Sequence, residues 1–124
     1  MTAVAYEVSK KVFEGSAGRT EGKDEIVRRT GMNAGSAGDY ITDFLAMMSG
    51  VKYTRTLNEY STRYFLERIR EDYGESALQK AVAACSKHAA YYATLGHGRL
   101  AYVERIVEEY KPPVAKEVLE HGSV

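Results

Sequence analysis

The chain has 124 residues with 17 basic and 17 acidic side chains, so no global cationic field advertises nucleic acid or an anionic membrane. That length suits one domain with a single core, and the lone Cys85 excludes an intramolecular disulfide and a multi-cysteine zinc site. No apolar run approaches the roughly 18 residues of a membrane span, and no basic stretch leading into an apolar one opens the chain. A cytoplasmic protein with no membrane partner is expected.

Residues 3–14 place Val4, Val8 and Val12 four apart with Lys10 and Lys11 outward, which predicts a first amphipathic helix ending near Gly15. Residues 15–22 hold three of the eleven glycines and no large apolar side chain, and read as a loop. A short basic helix over 23–30 follows, closed by Gly31 in the left-handed conformation. A second helix over 36–49 is expected to be capped by Ser36, with Ile41, Phe44, Leu45 and Met48 on one face and Gly50 at its end. Residues 51–56 are β-branched and aromatic, and fit an extended piece or an ordered loop. Phe65, Leu66, Ile69 and Tyr73 mark a helix over 58–73 that stops at Gly74. The longest helix is expected from Glu75 to about Leu95, with Leu78, Val82, Cys85, Ala89 and Tyr92 along one side. Gly96-His97-Gly98 breaks it, and Leu100, Val103, Ile106, Val107 and Tyr110 build a last helix that Pro112-Pro113 ends. With no alternating run long enough for a sheet, the fold class is all-α: five to six helices in one domain over residues 1–111, followed by a C-terminal tail over 112–124.

Two stretches carry candidate chemistry. The helix pair around Gly31 has the grammar of a helix-turn-helix, in which the exposed start of the second helix reaches base edges or phosphates. This assigns Asn33, Ser36, Ala37 and Tyr40 to a nucleic-acid groove, although plain helix packing produces the same grammar. The second stretch, Tyr53-Thr54-Arg55-Thr56-Leu57-Asn58, sets an arginine between two threonine hydroxyls just before a helix capped by Asn58 or Thr56. Free amides at a helix start, Arg55 and the hydroxyls of Thr54 and Thr56 together suit an anion such as phosphate, and Arg63 extends the site along a backbone. Charge supports the placement: Lys52, Arg55, Arg63, Arg68 and Arg70 stand against Glu59 and Glu67 between residues 52 and 70. Alternatively the threonines cap the helix and Arg55 pairs with a carboxylate such as Glu59. The ten tyrosines, with no tryptophan, read mainly as core and rim residues.

Catalytic patterns are weak. His88, His97 and His121 never fall four apart, as two metal-binding imidazoles on one helical face would. Cys85 and His88 read as a small buried cysteine with a histidine at its edge rather than a thiol and base pair. Gly31, Gly35 and Gly38 lead to no Lys-Ser or Lys-Thr, so no phosphate loop of the nucleotide-binding kind is present. The chain reads as a non-enzyme, with no metal and no cofactor.

The runs Gly31-Met32-Asn33-Ala34-Gly35-Ser36-Ala37-Gly38-Asp39-Tyr40-Ile41, Tyr53-Thr54-Arg55-Thr56 and Tyr64-Phe65-Leu66, with His88 and Tyr91-Tyr92, resemble a helical domain of bacterial HNH-endonuclease-type proteins. In that family the domain usually lies N-terminal to the nuclease of restriction-like enzymes, some of them labelled as modified-cytosine-specific. The resemblance covers about residues 3–111 and lacks the histidines and cysteine pairs of an HNH site. It implies an accessory module for target recognition or assembly and by itself no cleavage. With the helix-turn-helix grammar the expected partner is double-stranded DNA, modified or unmodified, and zero net charge favours a homodimer or a nuclease subunit beside it. A protein–protein module without direct nucleic-acid binding is the alternative, using the small residues Ala81, Ala83, Ala84, Ala89, Ala90 and Ala93 for close helix approach.

Overall fold

The computed structural model describes residues 1–112, which form six α-helices and, among those residues, no strand. They are α1 (Thr2–Phe13), α2 (Arg19–Thr30), α3 (Ala34–Ser49), α4 (Glu59–Tyr73), α5 (Glu75–Ala93) and α6 (Ala101–Glu109). The expected all-α class holds. The tail expected over 112–124 lies, past Pro112, outside the described residues.

Helices α3 and α5 pack against each other, α1 and α2 cover α3, and α4 and α6 cover α5. The larger apolar cluster joins Phe44 and Met47 of α3 to Phe65, Leu66 and Ile69 of α4, Leu78 and Cys85 of α5 and Ile106 of α6. Tyr6 of α1 enters it edge-on, 5.3 Å from Phe44 and 5.5 Å from Phe65 between ring centroids, the T-shaped geometry that aromatic quadrupoles favour. A smaller cluster of Ala5, Val8, Ile26, Ala37 and Ile41 binds α1, α2 and α3 together. Tyr40 and Leu45 touch both clusters, which makes α3 their common wall.

Two helix starts differ from expectation. α2 begins at Arg19, inside the stretch that reads as a loop, because Gly22 is a packing glycine and not a breaker. A Cβ at Gly22 would lie 2.7 Å from Val12 Cγ2 and 3.2 Å from Val8 Cγ1, so a bare backbone is what lets α2 approach α1. The Glu21 carboxylate accepts the Gly18 amide at 3.2 Å and secures the first turn. α3 begins at Ala34, capped by Asn33 rather than Ser36: Asn33 Oδ1 accepts the Ser36 amide at 2.8 Å. Gly31 ends α2 at φ +76°, in the left-handed conformation expected of it.

The alanine row of α5 also resolves differently. Ala81, Ala84 and Ala89 are buried in the core of this chain, which leaves Ala90 and Ala93 exposed and Ala83 half-buried. Half of the row therefore packs the chain's own helices.

Candidate nucleic-acid interface

The first half of α3 stands between two surfaces, the 51–58 loop on one side and α2 on the other. The loop is irregular in backbone, but side chains from α5 and α6 hold it down. Tyr53 is buried, its ring stacked on His88 at 4.5 Å and its hydroxyl donating to Cys85 Sγ at 3.4 Å. The Tyr53 carbonyl can only accept, so His88 Nδ1 carries the proton that donates to it at 2.8 Å. His88 Nε2 then accepts from the Thr56 hydroxyl at 2.9 Å. Burial lowers the proton affinity of His88, in keeping with this neutral tautomer. Burial likewise pushes the Cys85 thiol up to about 11 and holds Tyr53 well above its ordinary range, so both stay protonated. At the far end of the loop Tyr102 donates to the Leu57 carbonyl at 2.6 Å, and Asn58 caps α4 through the Ser61 amide at 2.8 Å.

This seating decides which expected contact residues remain available. Thr56 is engaged by His88, and Asn58, rather than Thr56, caps the helix. Thr54 and Arg55 stay exposed, with the Arg55 Nε 3.7 Å from Asp39 Oδ1 on α3 instead of against Glu59. Arg63 pairs with Glu59 at 3.2 Å and with Glu109 of α6 at 2.6 Å. The Glu109 hydrogen bond leads the causes that raise the Arg63 pKa, and Arg63 in turn lowers that of Glu109. With two carboxylates already on it, Arg63 is no free phosphate contact.

The groove-facing assignment on α3 needs similar correction. Ala37 is fully buried in the smaller cluster and presents no atom to a partner. Tyr40 turns inward, its ring 5.7 Å from Phe65 and its hydroxyl 2.9 Å from Ser61 Oγ. Asn33 is exposed, but its side-chain oxygen is occupied as the helix cap, and Ser36 is half-buried behind it. The 3.6-residue period places the open side of α3 instead at Ala34, Gly35, Gly38 and Thr42.

That open side faces α2 across a cleft of about 390 Å³. Arg19, Thr20 and Lys23 line it from α2; Ala34, Gly35, Gly38, Asp39 and Thr42 line it from α3. Arg19 donates to the Thr42 hydroxyl at 2.6 Å, and neither Arg19 nor Lys23 pairs with a carboxylate among the described residues. Asp39, at the lip, is shared with Arg55. The structure thus brings Arg55 to the same helix half as the cleft, while Arg63 faces α6. Reading the sequence for exposed helix starts misses Arg19 and Lys23, because Arg19 falls in the expected loop and Lys23 at a helix edge.

No family model, curated protein or solved structure matches the chain. The chemistry of the cleft therefore stands on its own residues. Two cations with no ion-pair partner among the described residues, in a cleft whose carboxylate Asp39 pairs with Arg55, can neutralise and hydrogen-bond an anionic oxygen beside a glycine-lined helix start. Among the described residues no three His, Cys, Asp or Glu side chains group as metal ligands, and no helix is long and apolar enough to cross a membrane.

Proposed function

We propose that this chain is a nucleic-acid-binding module, non-catalytic by itself, that holds the phosphate backbone of double-stranded DNA in the α2–α3 cleft. The observation that carries the reading is the pairing pattern. Arg63 and Arg29 are neutralised by carboxylates within the fold, whereas Arg19 and Lys23 face an open cleft whose opposite wall is bare at Gly35 and Gly38. Gly35 and Gly38 let phosphate approach the backbone closely, and Arg55, beside Asp39 at the lip, adds a third cation whose charge that carboxylate partly offsets. The sequence resemblance to accessory domains of HNH-endonuclease-type proteins is in keeping with this role, and the module proposed here recognises a target beside a nuclease subunit or as a homodimer in the cytoplasm.

The test is a fluorescence-anisotropy titration against duplexes with and without modified cytosine, at low and moderate salt. Replacing both Arg19 and Lys23 by alanine is expected to weaken binding about tenfold or more at low salt and to flatten the slope of log K against log salt by about two. Binding that is absent at low salt, or unchanged in the double variant, overturns the reading.

A second reading rests on a groove of about 840 Å³ between α5 and α6, walled by Ala89, Ala90 and Ala93 on one side and Arg105, Val107 and Glu108 on the other. It accommodates protein rather than phosphate, because its charges are mixed in sign. Light scattering on the titrated sample distinguishes the two: a concentration-dependent dimer without salt-sensitive DNA binding supports assembly.

A further inference from the structure

Asp43 is fully buried on α3, and neither carboxylate oxygen has a hydrogen-bond partner among the described residues. An interior carboxylate with no donor is unstable as an anion, so the side chain holds its proton. It lies one helical turn beyond Asp39 on α3, the helix that packs against α5. The charged groups that act on it are Asp39 from its own helix and Arg55 from the loop, with none from α1 or α2. The Tyr53 hydroxyl and the Cys85 thiol lie near enough to feel its charge, and both stay protonated.

Arg55, held on Asp39, therefore stands one helical turn from a second, buried carboxylate. Its side chain is 72% exposed and holds only the outer carboxylate, at 3.7 Å. Each carboxylate can take the guanidinium, but the inner one offers a negative charge only after losing its proton. We propose that Asp43 is a proton-controlled latch for Arg55: with Asp43 protonated the guanidinium stays outside on Asp39, and with Asp43 ionised it swings inward toward Asp43. The proton leaves to solvent, and the guanidinium gives the buried anion the partner it otherwise lacks. Burial and the Asp39 charge set the exchange at about pH 8, with Arg55 opposing them. If the nucleic-acid reading above is right, the same exchange withdraws a lip cation from the phosphate; the latch itself does not depend on that reading.

The experiment is an NMR pH titration of the whole chain from pH 5 to 9.5, following the Arg55 Nε–H resonance, the amides of Tyr53 to Leu57 and the Asp43 carboxyl carbon. The expected result is one common midpoint near 8 at all of these nuclei. Asp43→Asn abolishes the Arg55 shift, and Asp39→Asn moves the midpoint lower because a repelling charge is gone. An Asp43 carboxyl carbon that has already titrated by pH 5, or an Arg55 transition that persists in Asp43→Asn, overturns the latch. The carboxyl signal of the unaltered protein decides the matter even where the Asn variant folds poorly. DNA affinity is read separately: a pH-dependent Arg55 with no DNA binding keeps the latch and removes the nucleic-acid reading.

Discussion

The two surfaces flanking the first half of α3 differ in what they do with their polar groups. In the 51–58 loop Tyr53, Thr56 and the Leu57 carbonyl bond inward to His88, Cys85 and Tyr102 and seat the irregular backbone on the core, while Thr54 and Arg55 stay exposed. In the α2–α3 cleft Arg19 and Lys23 have no carboxylate on them among the described residues, and the opposing wall carries Ala34, Gly35 and Gly38 beside Asp39 and Thr42. The lesson is that residue type marks where polar chemistry is concentrated, while pairing marks where it is available. Threonines and an arginine before a helix look like an anion site from either side of the fold. Only the groups left without internal partners can serve one.

The sharpest way to break this comparison is Tyr53→Ala. It removes a buried ring stacked on His88 and leaves the Cys85 side of the cavity unfilled, so a loss of about 3–5 kcal/mol is expected from urea unfolding, in the range for large aromatic truncations. Arg19→Ala with Lys23→Ala, on the other surface, should leave stability within about 0.5 kcal/mol, because those side chains anchor nothing in the core. Similar costs for both would erase the distinction between a seated loop and an open cleft.

Next in size is the pH dependence set by Asp43. Its folded-state value of about 8 lies above the ordinary 3.8, so the folded chain binds the proton more tightly than the unfolded one. The resulting stability is complete below the unfolded value and is lost as pH rises toward 8, by up to about 1.4 kcal/mol per pH unit. Unfolding free energies measured from pH 5 to 8 should fall along that slope, and Asp43→Asn should flatten it. A wild-type curve that is already flat in this window would show that the carboxyl is solvated or paired in the folded state.

Much of the fold was legible in the sequence because helix ends are local. Gly31, Gly50, Gly74 and Asn58 end or begin helices where their own backbone freedom or side-chain oxygen places them. The cap of α3 is Asn33 and not the expected Ser36, although the signal is local: Asn33 stands three residues before Ser36 as Asn58 stands three before Ser61, and both asparagines accept the serine amide. What else escaped was non-local. Gly22 reads as a breaker until Val12 is seen against it, Ala37 reads as exposed until Ile26 and Ile41 close over it, and Arg63 reads as free until Glu109, 46 residues later, arrives beside it. The periodicity of α3 identifies an apolar face but does not say which polar side stays open; the position of α2 settles that, and α2 starts in a stretch whose glycines suggest a loop.

The α3 cap offers a smaller test of roles. If Asn33 is occupied as a cap, Asn33→Ala should cost about 1 kcal/mol of stability, the usual worth of an asparagine cap. Its effect on DNA should then be a uniform loss across sequences, seen in parallel anisotropy titrations of several duplexes. A change in preference among sequences, with stability intact, would return Asn33 to the base-reading role that its exposed position suggests.

The smallest expected effect belongs to Arg63, and its smallness is the point. Its partners Glu59 and Glu109 are nearly half exposed, so screening by solvent limits the ion pairs, and Arg63→Ala should cost no more than about 1 kcal/mol. Its guanidinium is already matched by two carboxylates, so removing it should leave both DNA affinity and the salt slope unchanged, in contrast to Arg19 and Lys23. A drop in the salt slope of about one in Arg63→Ala would mean that Glu59 and Glu109 release the guanidinium to phosphate. The internal ion pairs would then be a resting state of the surface, and the binding face would extend from the cleft across the start of α4 to α6.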